Sequence, residues 1–136
     1  MKKVLVFGTF DYLHDGHINF FKQAKKFGDY LVVLVAKDET VLDIKKNQTV
    51  FDEQTRLKKV EECGLADEVV LGSKGDKYEI LKIIKPTVIC LGYDQSAFVD
   101  KLEEKLKEFA LSAEIVRLKS YKPEIYKSSK MRGKII

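Results

Sequence analysis

Val4-Leu5-Val6-Phe7-Gly8-Thr9-Phe10-Asp11-Tyr12-Leu13-His14-Asp15-Gly16-His17 is the stretch on which the fold turns. Its first four residues are apolar without alternation, and the run stops at Gly8. A strand written this way is covered on both faces, as strands of parallel sheets are. Beyond the loop, Ile18, Phe21, Ala24 and Phe27 recur at three-residue intervals, which predicts a helix from about His17 to Phe27 with Gly28 as its C-cap. Strand, loop and helix in succession form the opening unit of an α/β domain.

The same grammar continues. Tyr30 to Val35, Glu68 to Leu71, Thr87 to Leu91 and Ala113 to Leu118 read as further strands, most of them ending at or just before a glycine or polar residue. Helical patterns lie between them, at Asp52 to Cys63, Lys77 to Ile84 and Gln95 to Phe109, with Asp52 as N-cap and Gly64 as the stop of the first. Alternation of this kind predicts a single Rossmann-like α/β domain over residues 1–136, a five-stranded parallel sheet with helices on both faces. In such sheets ligands bind beyond the carboxyl ends of the strands. Those ends are Gly8-Thr9, Ala36-Lys37, Gly72-Ser73 and Gly92-Tyr93-Asp94.

With 136 residues, 45% hydrophobic and 34% charged, the chain can bury a core without staples. Its longest apolar run, Leu31 to Ala36, is too short to span a bilayer, so no membrane association is expected. Met-Lys-Lys leads straight into the first strand with no small-residue cleavage site, so no secretory leader is expected. Cys63 and Cys90 stand outside any metal-binding spacing and read as reduced, buried thiols of a cytoplasmic protein. The net charge is +4, but residues Arg117 to Ile136 carry +6 and the remainder −2. Nucleic-acid binding would spread basic residues over a face of the fold, so none is expected. The basic tail is either a solvated end or a flap over a polyanion.

His14 and His17 are the only histidines of the chain. They sit where the first helix begins, where free amides and the positive end of the helix dipole suit a phosphate group. Gly16 between them allows close approach of a ligand to the backbone. The competing readings are capping or core histidines, and a metal pair, which would need further ligands that are not nearby in sequence; no protein-held metal is expected.

Gly-Thr-Phe-Asp-x-x-His-x-Gly-His resembles the signature of the HxGH nucleotidyltransferase superfamily in its cytidylyltransferase-like branch, which includes glycerol-3-phosphate, choline-phosphate and ethanolamine-phosphate cytidylyltransferases and archaeal-type FAD synthases. The resemblance implies that His14 and His17 donate hydrogen bonds to triphosphate oxygens. It makes His14, His17 and Thr9 the catalytic candidates, with Gly8, Thr9, Phe10, Asp15 and Gly16 shaping the nucleotide site. It further implies a divalent ion, Mg2+, carried by the nucleoside triphosphate. Lys22, on the first helix, is either a phosphate contact or an ordinary exposed lysine. Lys46, in the polar loop before Asp52, is the candidate basic residue for phosphate, and Arg56 resembles an arginine that contacts substrate in related transferases. For Arg56 the alternative is a helix-surface ion pair with Asp52 or Glu53.

Asp94, ending Leu91-Gly92-Tyr93-Asp94, is expected to face base or ribose, with N-capping as its other reading. Tyr126-Lys127-Ser128-Ser129-Lys130 resembles the hydroxyl pair that opens the last helix of the superfamily. Ser128 and Ser129 are thus expected to hold phosphate as segment 119–136 closes over the site.

Three longer stretches, 35–41, 91–98 and 113–121, resemble archaeal-type FAD synthases, and the likeness spans nearly the whole chain. It implies AMP transfer from ATP to FMN, giving FAD and pyrophosphate, with Asp94 and Tyr121 in the ATP site and a homodimeric assembly. A CTP-dependent glycerol-3-phosphate cytidylyltransferase and a nucleotide-binding regulatory module without turnover are the alternatives. Against the former, the chain has Lys122-Pro123-Glu124-Ile125-Tyr126-Lys127-Ser128-Ser129 where those enzymes carry Arg-Thr-x-Gly-Ile-Ser-Thr-Thr.

Overall fold

A computed structural model describes residues 2–39, 51–72, 78–92 and 101–118. In chain order the described elements are β1 (Lys3–Gly8), α1 (Asp15–Lys25), β2 (Tyr30–Val35), α2 (Glu53–Glu62), β3 (Glu68–Leu71), α3 (Ile80–Ile84), β4 (Val88–Leu91), α4 (Leu102–Glu108) and β5 (Glu114–Arg117). All five strands run parallel in the order β3-β2-β1-β4-β5.

Alternation along each central strand divides the core in two, because successive side chains of a strand face opposite ways. Val4 and Val6 of β1, with Leu31, Val33 and Val35 of β2, pack under Phe20, Phe21 and Ala24 of α1 and Val60 of α2. Leu5 and Phe7, with Val32 and Leu34, pack on the other face against Leu81 and Ile84 of α3 and Leu102 and Leu106 of α4. Full burial of a side chain such as Phe21 contributes roughly 1.5–3 kcal/mol. The edge strands β3 and β5 are only half-buried, since each pairs with one neighbour, and their apolar runs are correspondingly mixed with Glu68, Glu114 and Arg117.

The chain steps outward from β1 through β2 to β3, then returns to lay β4 on the other side of β1. That reversal makes the crevice beyond Gly8 and Leu91 the switch point at which parallel sheets hold ligands.

Helix boundaries differ from expectation in instructive ways. α1 begins two residues early, at Asp15, and ends with Lys26 as C-cap. Gly28 is therefore not the cap. A Cβ there would lie 2.6 Å from the Lys2 carbonyl oxygen and 2.7 Å from Val4 Cγ2, so its small size serves close packing against Lys2 and the start of β1. α2 agrees with the sequence: Asp52 accepts the Thr55 N–H at 2.8 Å, and Gly64 adopts a left-handed φ of 76° just past the end. α3 is regular only from Ile80, and Lys85 at φ 50° ends it before Pro86. Of the expected helix from Gln95, the described part is α4. Cys90 lies in the core, where burial pushes its thiol up to about 12, whereas Cys63 is half-buried at the end of α2.

Candidate functional site

Two buried polar residues, Thr9 and Asp11, flank Phe10 where β1 ends. Phe10 itself adopts a left-handed φ of 55°, a conformation that is costly for a side chain of this size. Its ring explains why the loop tolerates this: it is fully buried, edge-on to His17 at 5.3 Å and to Phe21 at 5.4 Å. The core of α1 thus holds the loop in a turn that a free chain would avoid. Asp11 Oδ1 accepts the Phe51 N–H at 2.9 Å, tying the loop to the approach of α2.

The two histidines form the N-terminal cap of α1. His14 stands at the N-cap in extended conformation, and its Nδ1 accepts the Gly16 N–H at 3.0 Å. In return His17 Nδ1 accepts the backbone N–H of His14 at 3.3 Å. The rings stack with centroids 4.0 Å apart and planes 25° apart. Sequence sets capping against ligand binding for this pair; the geometry shows the capping, and it occupies only Nδ1 of each ring. A ring nitrogen that accepts carries no proton, so in each neutral imidazole the proton resides on Nε2. Capping therefore leaves both rings with an Nε2–H donor turned away from the helix backbone.

Both rings are held neutral. His17 is 1% exposed, and its pKa is lowered to about 3, first by burial and second by His14, against an opposing pull from the Tyr12 carbonyl. His14 is lowered by burial, which outweighs the favourable charge of Asp15. The Nε2 atom of His17 is out of solvent contact and meets no hydrogen-bond partner among the described residues. An unsatisfied buried donor costs about 1–3 kcal/mol, a penalty that an acceptor arriving at this position relieves.

The remaining candidates separate. Gly8 ends β1, Gly16 supplies the amide capped by His14, and Asp15 is exposed on the first turn of α1, where its charge complements the dipole. Lys22 is exposed, in the last turn of α1 and about 7.5 Å along the axis from His17. Lys46, Asp94, Tyr121, Ser128 and Ser129 lie outside the described residues.

Arg56 departs from the helix-surface ion pair that its position suggests. Its side chain is fully buried, and its ion-pair partner is Asp38, at 2.6 Å, rather than Asp52 or Glu53. Arg56 Nη1 also donates to the Thr9 carbonyl at 2.8 Å and Nε to the Phe51 carbonyl at 3.1 Å. Asp38 in turn exchanges hydrogen bonds with Glu53, accepting its N–H at 3.2 Å and donating its own at 2.9 Å. These contacts gather the ends of β1 and β2 and the start of α2. Asp38 and Asp11 are site-framing residues that the sequence reading misses. Their position just past strand ends is the signal they carry. Across the crevice, Arg117 donates to the Gly92 carbonyl at 2.7 Å, securing the end of β4.

Among the described residues no group of three His, Cys, Asp or Glu could hold a metal ion, and no helix is long and apolar enough to cross a membrane.

Known proteins resemble this chain along its length. A family model described as cytidylyltransferase-like matches residues 5–134. An FAD synthase of Thermoplasma volcanium is 39% identical over 136 residues, covering 100% of this chain and 95% of that protein. An FAD synthase of Ferroglobus placidus is 40% identical over 137 residues, covering 100% of this chain and 89% of its own length. The crystal structure of a Thermoplasma volcanium protein, titled a lipopolysaccharide core biosynthesis protein, superposes with a TM-score of 0.83 at 39% identity, covering 89% of this chain and 98% of that one.

Proposed function

Because this chain belongs to the cytidylyltransferase-like family of nucleotidyltransferases, alongside archaeal FAD synthases, we infer that it transfers the AMP moiety of ATP to FMN, releasing pyrophosphate. The observation that carries the chemistry is the histidine pair, two stacked imidazoles whose capping bonds leave Nε2–H donors at the switch point of the sheet. The choice of ATP and FMN over CTP and glycerol 3-phosphate rests on the relatives, which match over nearly their full lengths.

In this reading an oxygen of the FMN phosphate attacks the α-phosphorus of ATP. The new P–O bond forms as the bond to the β-phosphate's bridging oxygen breaks, and pyrophosphate leaves with that electron pair. The attacking phosphate is already ionised near neutral pH, so no general base is required. What remains for the protein is alignment and stabilisation of charge on the transferring phosphoryl group. His14 and His17 would supply fixed, largely desolvated donors for that charge, and Thr9 and the Phe10 amide would steady the phosphates in the strained loop. Neutral imidazoles act here by directed hydrogen bonds; a bound polyanion would itself raise their pKa values and draw a proton.

Mg2+ would arrive on the triphosphate, held by phosphate oxygens and water. Lys22 and Lys46 as phosphate contacts, Asp94 and Tyr121 in the ATP site, and Ser128 and Ser129 on a closing segment 119–136 complete the proposal, as do a homodimeric assembly and a cytoplasmic location.

Incubation with Mg-ATP and FMN, in parallel with Mg-CTP and glycerol 3-phosphate, tests it by measuring FAD and pyrophosphate. FAD formation is expected. CTP turnover without FAD would overturn the assignment, and tight nucleotide binding without turnover on either acceptor would point to a regulatory module.

A further inference from the structure

We propose that Arg56 is a positioning residue for nucleotidyl transfer: it holds the phosphate-binding loop in register with the end of β2 and the start of α2, and does not itself touch the nucleotide. The inference rests on the proposed transfer reaction and specifies how its loop is kept in place. The guanidinium has no exposed surface, and each of its three nitrogens is committed, to Phe51, Thr9 and Asp38. Burying a charge is unfavourable unless it is paired and fully bonded, and well-packed apolar residues often serve stability as well or better. What an apolar side chain cannot supply is direction. Three planar donors reach three separate segments at once, a geometry that a lysine cannot reproduce.

The brace is doubled at Phe51. Its N–H is held by Asp11 and its carbonyl by Arg56, so the backbone of one residue is gripped on both sides, by the loop after β1 and by α2. The Thr9 carbonyl bonded to Arg56 belongs to the peptide whose amide nitrogen is that of Phe10, the left-handed residue whose ring packs on His17. Movement of that peptide shifts both the Phe10 amide and the surface against which His17 is set. Asp38 anchors the far end of the guanidinium and is itself locked to the first turn of α2 through Glu53.

The test compares Arg56→Lys, Asp38→Asn and the double variant in the full-length protein. Asp38→Asn keeps the shape of the side chain while removing its charge and one of its two acceptor oxygens, so it serves where Arg56→Lys folds poorly. Both single variants are expected to shift the Thr9 and Phe10 amide resonances and the His17 ring nitrogens of the free protein. In FAD formation kcat should fall about 100-fold, the order seen when a reacting group is misplaced by an ångström, with KM for ATP little changed. The double variant should be no worse than the worse single one, because both break the same brace. A raised KM at unchanged kcat would instead make Arg56 a direct substrate contact and overturn the proposal. Wild-type kcat with unmoved loop resonances and a lowered melting temperature would reduce Arg56 to a stability element, overturning it equally. If the wild-type protein forms no FAD, the transfer reading fails separately, and the resonances of the free protein still decide whether Arg56 sets the loop.

Discussion

The backbone N–H of His14 donates to His17 Nδ1, while His14 Nδ1 accepts the N–H of Gly16. The first helix is therefore capped by the same two side chains that present donors at its N-terminus. Serine, threonine or aspartate would cap as well, but serine and threonine have one oxygen for both tasks, and an ionised aspartate has no donor to offer a phosphate. Imidazole has two nitrogens on different sides of the ring, one for each task.

This arrangement has a consequence for stability. His17 titrates near 6.5 in an unfolded chain and near 3 in the folded protein. Between those values the unfolded chain binds a proton that the folded protein refuses, so acid favours unfolding. The stability associated with neutral His17 is fully present above about pH 6.5 and is lost as pH falls toward 3. Urea unfolding at a series of pH values across that window should show a loss of a few kcal/mol in the wild type and a much flatter profile in His17→Gln. Equal slopes in the two proteins would show that His17 is not the group responsible.

How much of this was legible beforehand depends on the range of the interaction. The central strands announce themselves, because Val4 to Phe7 and Tyr30 to Val35 are covered on both faces and carry no alternation. Asp52 as N-cap and Gly64 as stop are local signals and read correctly. The histidine pair is also local, yet reciprocal capping is hidden because histidine is an uncommon cap and either nitrogen can accept. The ion-pair partner of Arg56 is missed for a different reason. Its partners lie 47 residues away at Thr9 and 18 away at Asp38, and only the sheet order brings them together. On a helix dominated by charged residues, the default is a surface ion pair. Gly28 fails in the same way: its neighbour is Lys2, and proximity across a turn between α1 and β2 is not written in its own segment.

Gly28 and Gly64 make a controlled pair. At Gly28 an added Cβ meets the Lys2 carbonyl at 2.6 Å, whereas at Gly64 it meets nothing within 4 Å but must accept φ 76°. Gly28→Ala acts through steric conflict with backbone, which cannot swing away, and should cost about 1–3 kcal/mol. Gly64→Ala acts through backbone strain alone and should cost about 1 kcal/mol. Thermal unfolding of both variants measures the difference, and FAD formation at permissive temperature should persist in each, since neither glycine adjoins the histidine pair. A neutral Gly28→Ala would mean that the loop between α1 and β2 can shift away from Lys2.

The two tasks of His14 can be separated by substitution. Asparagine is among the best N-cap residues, and its carbonyl can accept the Gly16 N–H as His14 Nδ1 does. His14→Asn should therefore stay within about 0.5 kcal/mol of wild-type stability, whereas His14→Ala loses the cap and about 1 kcal/mol with it. Both variants lack the Nε2–H donor, and both should transfer AMP about 100- to 1,000-fold more slowly, the range for removal of one donor from a developing oxyanion. His17→Ala, which removes the more deeply buried ring, should abolish transfer while circular dichroism still reports the folded sheet and helices. The decisive comparison is His14→Asn against His14→Ala in urea unfolding and in FAD formation: unequal stability with equally impaired transfer separates the cap from the donor. Full activity in His14→Asn would assign His14 to the helix alone and leave phosphate recognition to His17 and the loop amides.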